Sequence, residues 1–329
     1  MWKYNTKMRY IPLAMVIILF FPSVYGINVV VSIPDFEPIV REIGGKDVNI
    51  SILLPPGTDP HSFSITEKDV EKIKNADIIM LANSNLLSYE KAIKSNYNKE
   101  YLDFPDYEKN GAVLLDFGDF QNNPHGYWLY VNNSIAIAST ICEKLSEIFP
   151  DKKDFFNSSL NKFKETLGEA ENNTMKMMKE NNLYGKKVVA MVPGVCYIAK
   201  NMGLDADEIL LAEGTASVSP QKLQHVKEGL RRGEYAMIIV PSFLKDAKAG
   251  EIARQIARDT NSSIAYVKFA TGGNSYINIF YYNSMEVISA GNRKVEMERY
   301  DAWMFYLIAL LLLLAVVEGI LIYECRRIK

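Results

Sequence analysis

Cysteine and histidine are both scarce in this chain, three of each in 329 residues. Cys142, Cys196 and Cys325 are too few and too scattered for a disulfide framework. No His-Glu-x-x-His run, Gly-x-Ser-x-Gly elbow or glycine-rich phosphate loop is present, so hydrolase chemistry has little support. A basic cluster is missing too. With 37 Lys and Arg against 39 Asp and Glu, the net charge is −2, and nucleic acid is not an expected partner. Any site built on imidazole must draw on His61, His125 and His225.

The two ends of the chain are distinctive. Residues 1–10 carry Lys3, Lys7 and Arg9 without an acid, Ile11 to Phe21 is apolar, and Pro22-Ser23-Val24-Tyr25-Gly26 offers small residues suited to cleavage. That order is the order of a secretory signal, so residues 1–26 are set apart from the fold; an uncleaved anchor is the alternative. Ala302 to Tyr323 is apolar except for Glu318 and Gly319. At about 1.5 Å per residue it reaches roughly 33 Å, enough to cross a hydrocarbon core of about 30 Å. Trp303, Tyr306 and Tyr323 sit where interfacial rings belong, and Arg326, Arg327 and Lys329 place the tail in the cytoplasm. Glu318 lies about one turn from that end and reaches the headgroups.

The expected organisation is therefore a signal (1–26), a body, a spacer (291–301), a transmembrane helix (302–323) and a cytoplasmic tail (324–329). This makes a single-pass protein of the cell membrane with its body on the extracytoplasmic side. Sequons at Asn49, Asn132, Asn157, Asn172 and Asn261 are compatible with glycosylation of such a body.

Within the body, strands alternate with helices. Ile27 to Val31 reads as a buried strand, and Phe36, Ile39, Val40 and Ile43 mark one face of a helix that Gly44-Gly45 stops. Val48 to Leu54, Asp77 to Leu81 and Val113 to Phe117 read as further strands, with a helix after a Thr66–Asp69 capping box. Ala138, Ile141, Cys142 and Leu145 form a core stripe, so Cys142 packs as a small hydrophobe. From Lys152 to about Glu180 no proline intervenes, and Phe156, Leu160, Phe163, Leu167 and Met175 form an apolar seam. One helix of that length spans about 42 Å; two helices broken at Gly168 or near Asn172 are the alternative.

A second alternating set follows: strand Val188 to Val192, helix Tyr197 to Met202, and an irregular loop to Val218. Ser219-Pro220 then opens a helix, and the strands Met237 to Val240 and Ile264 to Phe269 come after it. The fold class expected is α/β. Two α/β lobes with mostly parallel sheets (27–150 and 185–290) are joined by one long backbone helix (151–184), with the C-terminal transmembrane helix added.

The stretch Pro55-Pro56-Gly57-Thr58-Asp59-Pro60-His61-Ser62-Phe63 presents a histidine in a tight loop at the carboxyl end of a strand. In open α/β sheets ligands bind beyond those ends, and imidazole is the commonest metal-ligating side chain. This loop, Arg41-Glu42-Ile43-Gly44-Gly45-Lys46-Asp47-Val48 before it and Ala76-Asp77-Ile78-Ile79 after it resemble the zinc/manganese-binding solute receptors of metal ABC transporters, the ZnuA/TroA-like cluster. The resemblance continues through Asn123-Pro124-His125 with Trp128-Leu129, through Tyr197 to Leu204, and through Ser219-Pro220-Gln221-Lys222-Leu223. It covers nearly all of residues 27–290.

The resemblance implies two lobes on a rigid backbone helix, one divalent metal (zinc or manganese) in the cleft, and an ABC permease as partner. It carries the first ligand onto His61 and the second onto His125. The positions of the third and fourth fall on Val192 and Phe269, neither of which can bind a metal. Cys196, Glu213, Asp205, Asp207 or water are candidates to complete a tetrahedral shell. His225, between Leu223 and Val226, is read as surface or locally bonded. The alternative function keeps the fold with a degenerate metal site that binds a non-metal solute or docks a protein.

Overall fold

The computed structural model describes residues 26–212, 218–269, 275–293 and 306–314. The first lobe runs β1 (Ile27–Val31), α1 (Phe36–Gly44), β2 (Val48–Ile52), α2 (Glu67–Asn75), β3 (Ile78–Met80), α3 (Ser88–Asn96), β4 (Glu100–Leu102) and α4 (Phe104–Lys109). Its four strands make one parallel sheet in the order β2-β1-β3-β4. Parallel strands covered on both faces need near-continuous apolar sequence, and Val29, Val30 and Val31 of the inner strand are all buried.

α5 (Val131–Ile148) packs across α1 and α4, and α6 (Lys153–Glu180) follows it. The second lobe runs β5 (Lys187–Ala190), α7 (Gly194–Asn201), β6 (Asp205–Ile209), α8 (Pro220–Arg231), β7 (Tyr235–Pro241), α9 (Lys248–Thr260), β8 (Ile264–Val267) and α10 (Tyr276–Asn292). Its sheet is also parallel, in the order β6-β5-β7-β8. Position for position, that is the strand order of the first lobe.

Local chemistry sets the helix starts. Thr66 Oγ1 accepts from Asp69 N–H (3.4 Å) while Asp69 Oδ2 accepts from Thr66 N–H (3.1 Å), the expected capping box. Ser219 caps α8 by accepting from Lys222 N–H at 3.2 Å, with Pro220 at the first helical position. α6 runs unbroken for 28 residues, through Gly168. Its buried edge is Phe156, Leu160, Phe163, Leu167, Ala170, Thr174 and Met178, and it lies against α1 and α5 of the first lobe and α10 of the second. The seam turns at Thr174 and not at Met175, because the Thr174 hydroxyl bonds Ser284 Oγ on α10 at 3.1 Å.

Three expectations change. Val113 to Phe117 is not the fourth strand. Its backbone is satisfied elsewhere: Val113 is bonded both ways to the Asn133 amide (2.9 and 2.8 Å), Leu115 N–H to Tyr197 Oη (3.0 Å) and Leu115 O to Asn123 N–H (2.9 Å), and Phe117 pairs with Phe120 in an isolated bridge, so it joins no sheet. The fourth strand is β4, three residues between charged flanks. The loop expected before Val218 contains β6, an edge strand whose acidic residues hide the signal while Ala206 and Ile209 are buried.

The third concerns the transmembrane helix expected over 302–323. Of it, residues 306–314 are described as helical and exposed, and the rest lies outside the described residues, as do residues 1–25 of the signal segment and 294–301 of the spacer. No helix among the described residues is long and apolar enough to cross a membrane.

The lobes meet along a seam of buried amides. Asn201 Oδ1 accepts from Val131 N–H (2.9 Å) and its Nδ2 donates to Leu129 O (2.7 Å). Gly126, at φ 75°, abuts Gly194 so closely that a Cβ on Gly126 would stand 2.7 Å from Gly194 Cα. Here only hydrogen fits, and the two lobes touch backbone to backbone.

Candidate functional site

Both histidine loops leave the first lobe on the side where its strands end. His61 lies beyond β2 in a double turn, with Thr58 N–H bonded to Pro55 O (3.2 Å) and Ser62 N–H to Asp59 O (3.3 Å). Asp59 Oδ1 accepts from His61 N–H at 3.0 Å. His125 repeats that geometry, because Asn123 Oδ1 accepts from His125 N–H at 3.0 Å. Each site is an Asx-Pro-His tripeptide: the proline fixes φ, and the Asx oxygen two residues back takes up the histidine amide. The repeat was legible in the sequence as Asp59-Pro60-His61 and Asn123-Pro124-His125.

The two copies differ in anchorage. Asp59 is exposed, whereas Asn123 is fully buried and bonds across the lobes, its Nδ2 donating to Pro193 O (3.0 Å) and its carbonyl accepting from Tyr197 Oη (2.6 Å). Burial holds the Tyr197 phenol well above its usual range, so it stays a donor.

The structure brings His61 and His125 together, with ring centroids 5.7 Å apart and planes at 64°. Phe120 also meets His125 edge-on, with centroids 6.0 Å apart. Two imidazoles sharing a tetrahedral cation, with metal–nitrogen bonds of about 2.0–2.1 Å, have ring centres roughly 5 Å apart. The observed separation is within about 1 Å of that value.

Among the described residues, no group of three or more His, Cys, Asp and Glu could hold a metal ion. Cys196 does not join the pair: it is fully buried on α7, with Sγ 3.4 Å from the Ala206 carbonyl of β6. Packing against the sheet is its role. Glu213 lies outside the described residues. His225 is exposed on α8, with Nε2 3.4 Å from Tyr235 Oη and 3.7 Å from Glu208 Oε2.

The second lobe offers apolar groups at its corresponding edge. Val192 follows β5, and Phe269 follows β8 and stacks edge-on with Phe243 at 5.4 Å. A Cβ on Gly194 would stand 3.0 Å from Phe269 Cζ, so this ring backs the glycine contact beside His125.

Two parallel α/β lobes on a shared long helix, with imidazoles converging at the strand ends beside the lobe junction, define a bilobal solute-binding protein. The family described as ZnuA, zinc-uptake complex component A, periplasmic, matches residues 29–290, and the chain belongs to it. Membership makes it a binding protein and not an enzyme.

Among curated relatives, it is 26% identical over 286 residues to the metal ABC transporter substrate-binding lipoprotein ScbA of Streptococcus cristatus, covering 82% of this chain and 89% of that one. It is equally identical over 288 residues to the manganese ABC transporter substrate-binding lipoprotein scaA of Streptococcus gordonii, with the same coverage.

Among solved structures, it resembles a crystal structure of ZnuA, with a TM-score of 0.64, 20% identity, and coverage of 81% of this chain and 100% of that one. It also resembles the Mn-bound periplasmic metal-binding protein of Candidatus Liberibacter asiaticus, with a TM-score of 0.66, 18% identity, and coverage of 80% and 99%.

Proposed function

We propose that this chain is the extracytoplasmic receptor of a metal ABC transporter, capturing a divalent cation, zinc or manganese, and handing it to the permease. The observation that carries the reading is the convergence of His61 and His125, each on its own Asx-Pro-His turn, at a spacing suited to one ion. Family membership and the naming of the relatives as metal and manganese ABC transporter proteins support the same cargo.

Glu213 is the proposed third ligand. Leu211 N–H donates to Met191 O at 3.0 Å, so the chain reaches Ala212 alongside Val192, and the next residue is the carboxylate. Residues 302–323 are the proposed tether, raising the receptor's effective concentration at its permease. These relatives are named lipoproteins.

Elemental analysis and zinc or manganese titration of the full chain test the reading. Metal at a hundredfold excess over Kd should stabilise the protein by about 2.7 kcal/mol, and His61→Ala or His125→Ala should abolish the effect. No thermal shift with either ion would sink it.

A second reading is favoured by Val192 and the Phe243–Phe269 pair, which line the second lobe's edge with carbon. A non-metal solute would bind there in the presence of chelator, and this binding would survive both histidine substitutions.

A further inference from the structure

Glu90, the third residue of α3, is fully buried, and the metal reading gives it no task. Its Oε1 accepts from Ala82 N–H at 2.9 Å and its Oε2 from Asn83 N–H at 2.8 Å. The carboxylate thus grips the turn that follows β3, in the middle of the first sheet. Ser32 Oγ, beyond the end of β1, also accepts from Ala82 N–H, at 3.2 Å. Replacing such a group with one that leaves two buried amides unpaired is expensive, so the turn's position depends on it.

Both histidine loops rest on this assembly, and each does so through the aromatic ring two residues past its histidine. Phe63, beyond His61, meets Tyr89 edge-on with centroids 5.0 Å apart, and Tyr89 Oη is tied to Ser32 O at 3.1 Å. Tyr127, beyond His125, donates its hydroxyl to Ala82 O at 2.6 Å. So one ring packs on the residue before Glu90, and the other bonds the peptide that Glu90 holds.

We propose that Glu90 is the positioning residue for both histidines, fixing through the Ala82–Asn83 turn the separation of two imidazoles that come from distant loops. The inference rests on the two-histidine site of the metal reading.

The groups facing the carboxyl are Tyr89 from its own helix, Ser32, Tyr107, Tyr127 and Asp103. Asp103 is itself engaged by Lys94 Nζ at 2.8 Å and by the Ser84 hydroxyl. Burial first, then the Asp103 charge, pushes the Glu90 carboxyl up to about 7, against the opposing pull of its hydrogen bonds. The grip is therefore set near its ionisation midpoint at neutral pH.

Three histidines make the test tractable. The metal-free full chain, labelled with 15N-histidine in detergent micelles, gives one set of imidazole signals per residue, and His225 on α8 serves as an internal control. Glu90→Gln should move the His61 and His125 signals and leave His225 in place. Its zinc affinity should fall about tenfold, the lower end of what supporting groups behind metal ligands contribute.

Tyr127→Phe should move His125 more than His61, and Phe63→Leu the reverse. A folded Glu90→Gln whose His61 and His125 signals coincide with wild type would overturn the proposal. If that variant does not fold, the two linking variants decide, and unmoved signals in both overturn it. Zinc titration of wild type separates the two ideas. Imidazole signals that ignore zinc defeat the metal reading, while the metal-free spectra still judge Glu90.

Discussion

The two lobes repeat one strand order, β2-β1-β3-β4 and β6-β5-β7-β8, and then diverge where the strands end. The first lobe brings out His61 and His125 on matched Asx-Pro-His turns; the second brings out Val192 and Phe269. Equal frameworks with unequal edges separate two tasks. The sheets fix where loops begin, and the loop sequence alone decides the chemistry offered there. The same contrast recurs within the first lobe, where the Asp59 turn is held locally and the Asn123 turn is tied into the neighbouring lobe.

The comparison breaks most severely at Asn123. Asn123→Ala removes the acceptor for the part-buried His125 N–H and the donor to the buried Pro193 O. About 4 kcal/mol of stability should be lost, read as a lower urea midpoint at unchanged slope.

A smaller effect comes from Glu90, which the second lobe does not match among its described residues. Its carboxyl is raised in the folded protein to about 7 against an ordinary 4.5, so the folded state holds the proton more tightly. The stability this contributes is full below about pH 4.5 and is lost as pH rises through about 7. The loss is on the order of 3 kcal/mol, and the Glu90→Gln profile should lack it. Asp103 acts with the opposite sign and at lower pH: its hydrogen bonds and Lys94 outweigh burial, lower its carboxyl, and add stability as pH rises out of the acid range.

Sharpening the comparison means giving the second lobe a ligand. Val192→His offers a third imidazole, and zinc affinity measured by calorimetry should rise about tenfold, or 1.4 kcal/mol. The smallest change is expected at Asp59. Asp59→Ala frees an exposed amide that water can satisfy, so melting should move by less than about 1 kcal/mol, while zinc affinity weakens through a looser His61.

Much of this was legible in the residues. The capping box at Thr66, the Ser219-Pro220 start and the long seam from Phe156 to Leu167 all depend on neighbours within a turn or two, and such signals survive in one dimension. β4 and β6 did not. Each is short or acidic, and each becomes a strand because a buried apolar neighbour, β3 or β5, offers it a ladder. Val113 to Phe117 misled for the converse reason: its run is apolar, but Asn133, Tyr197, Asn123 and Phe120 occupy its backbone groups.

At the site, the two histidines were readable from their loops. The residues that set their spacing, Asn123, Tyr127 and Glu90, act across long sequence separations. No local pattern announces that a glutamate on one helix holds a turn beneath two distant loops.

The Asx-Pro-His turn has one more consequence. Three consecutive residues close it, with no help needed from the sheet to set the histidine amide. A short loop insertion can therefore add such a ligand, and a single codon change can erase it, while the strands beneath stay as they are. Ligand choice on this scaffold thus sits in a few contiguous residues that can be exchanged without touching the architecture.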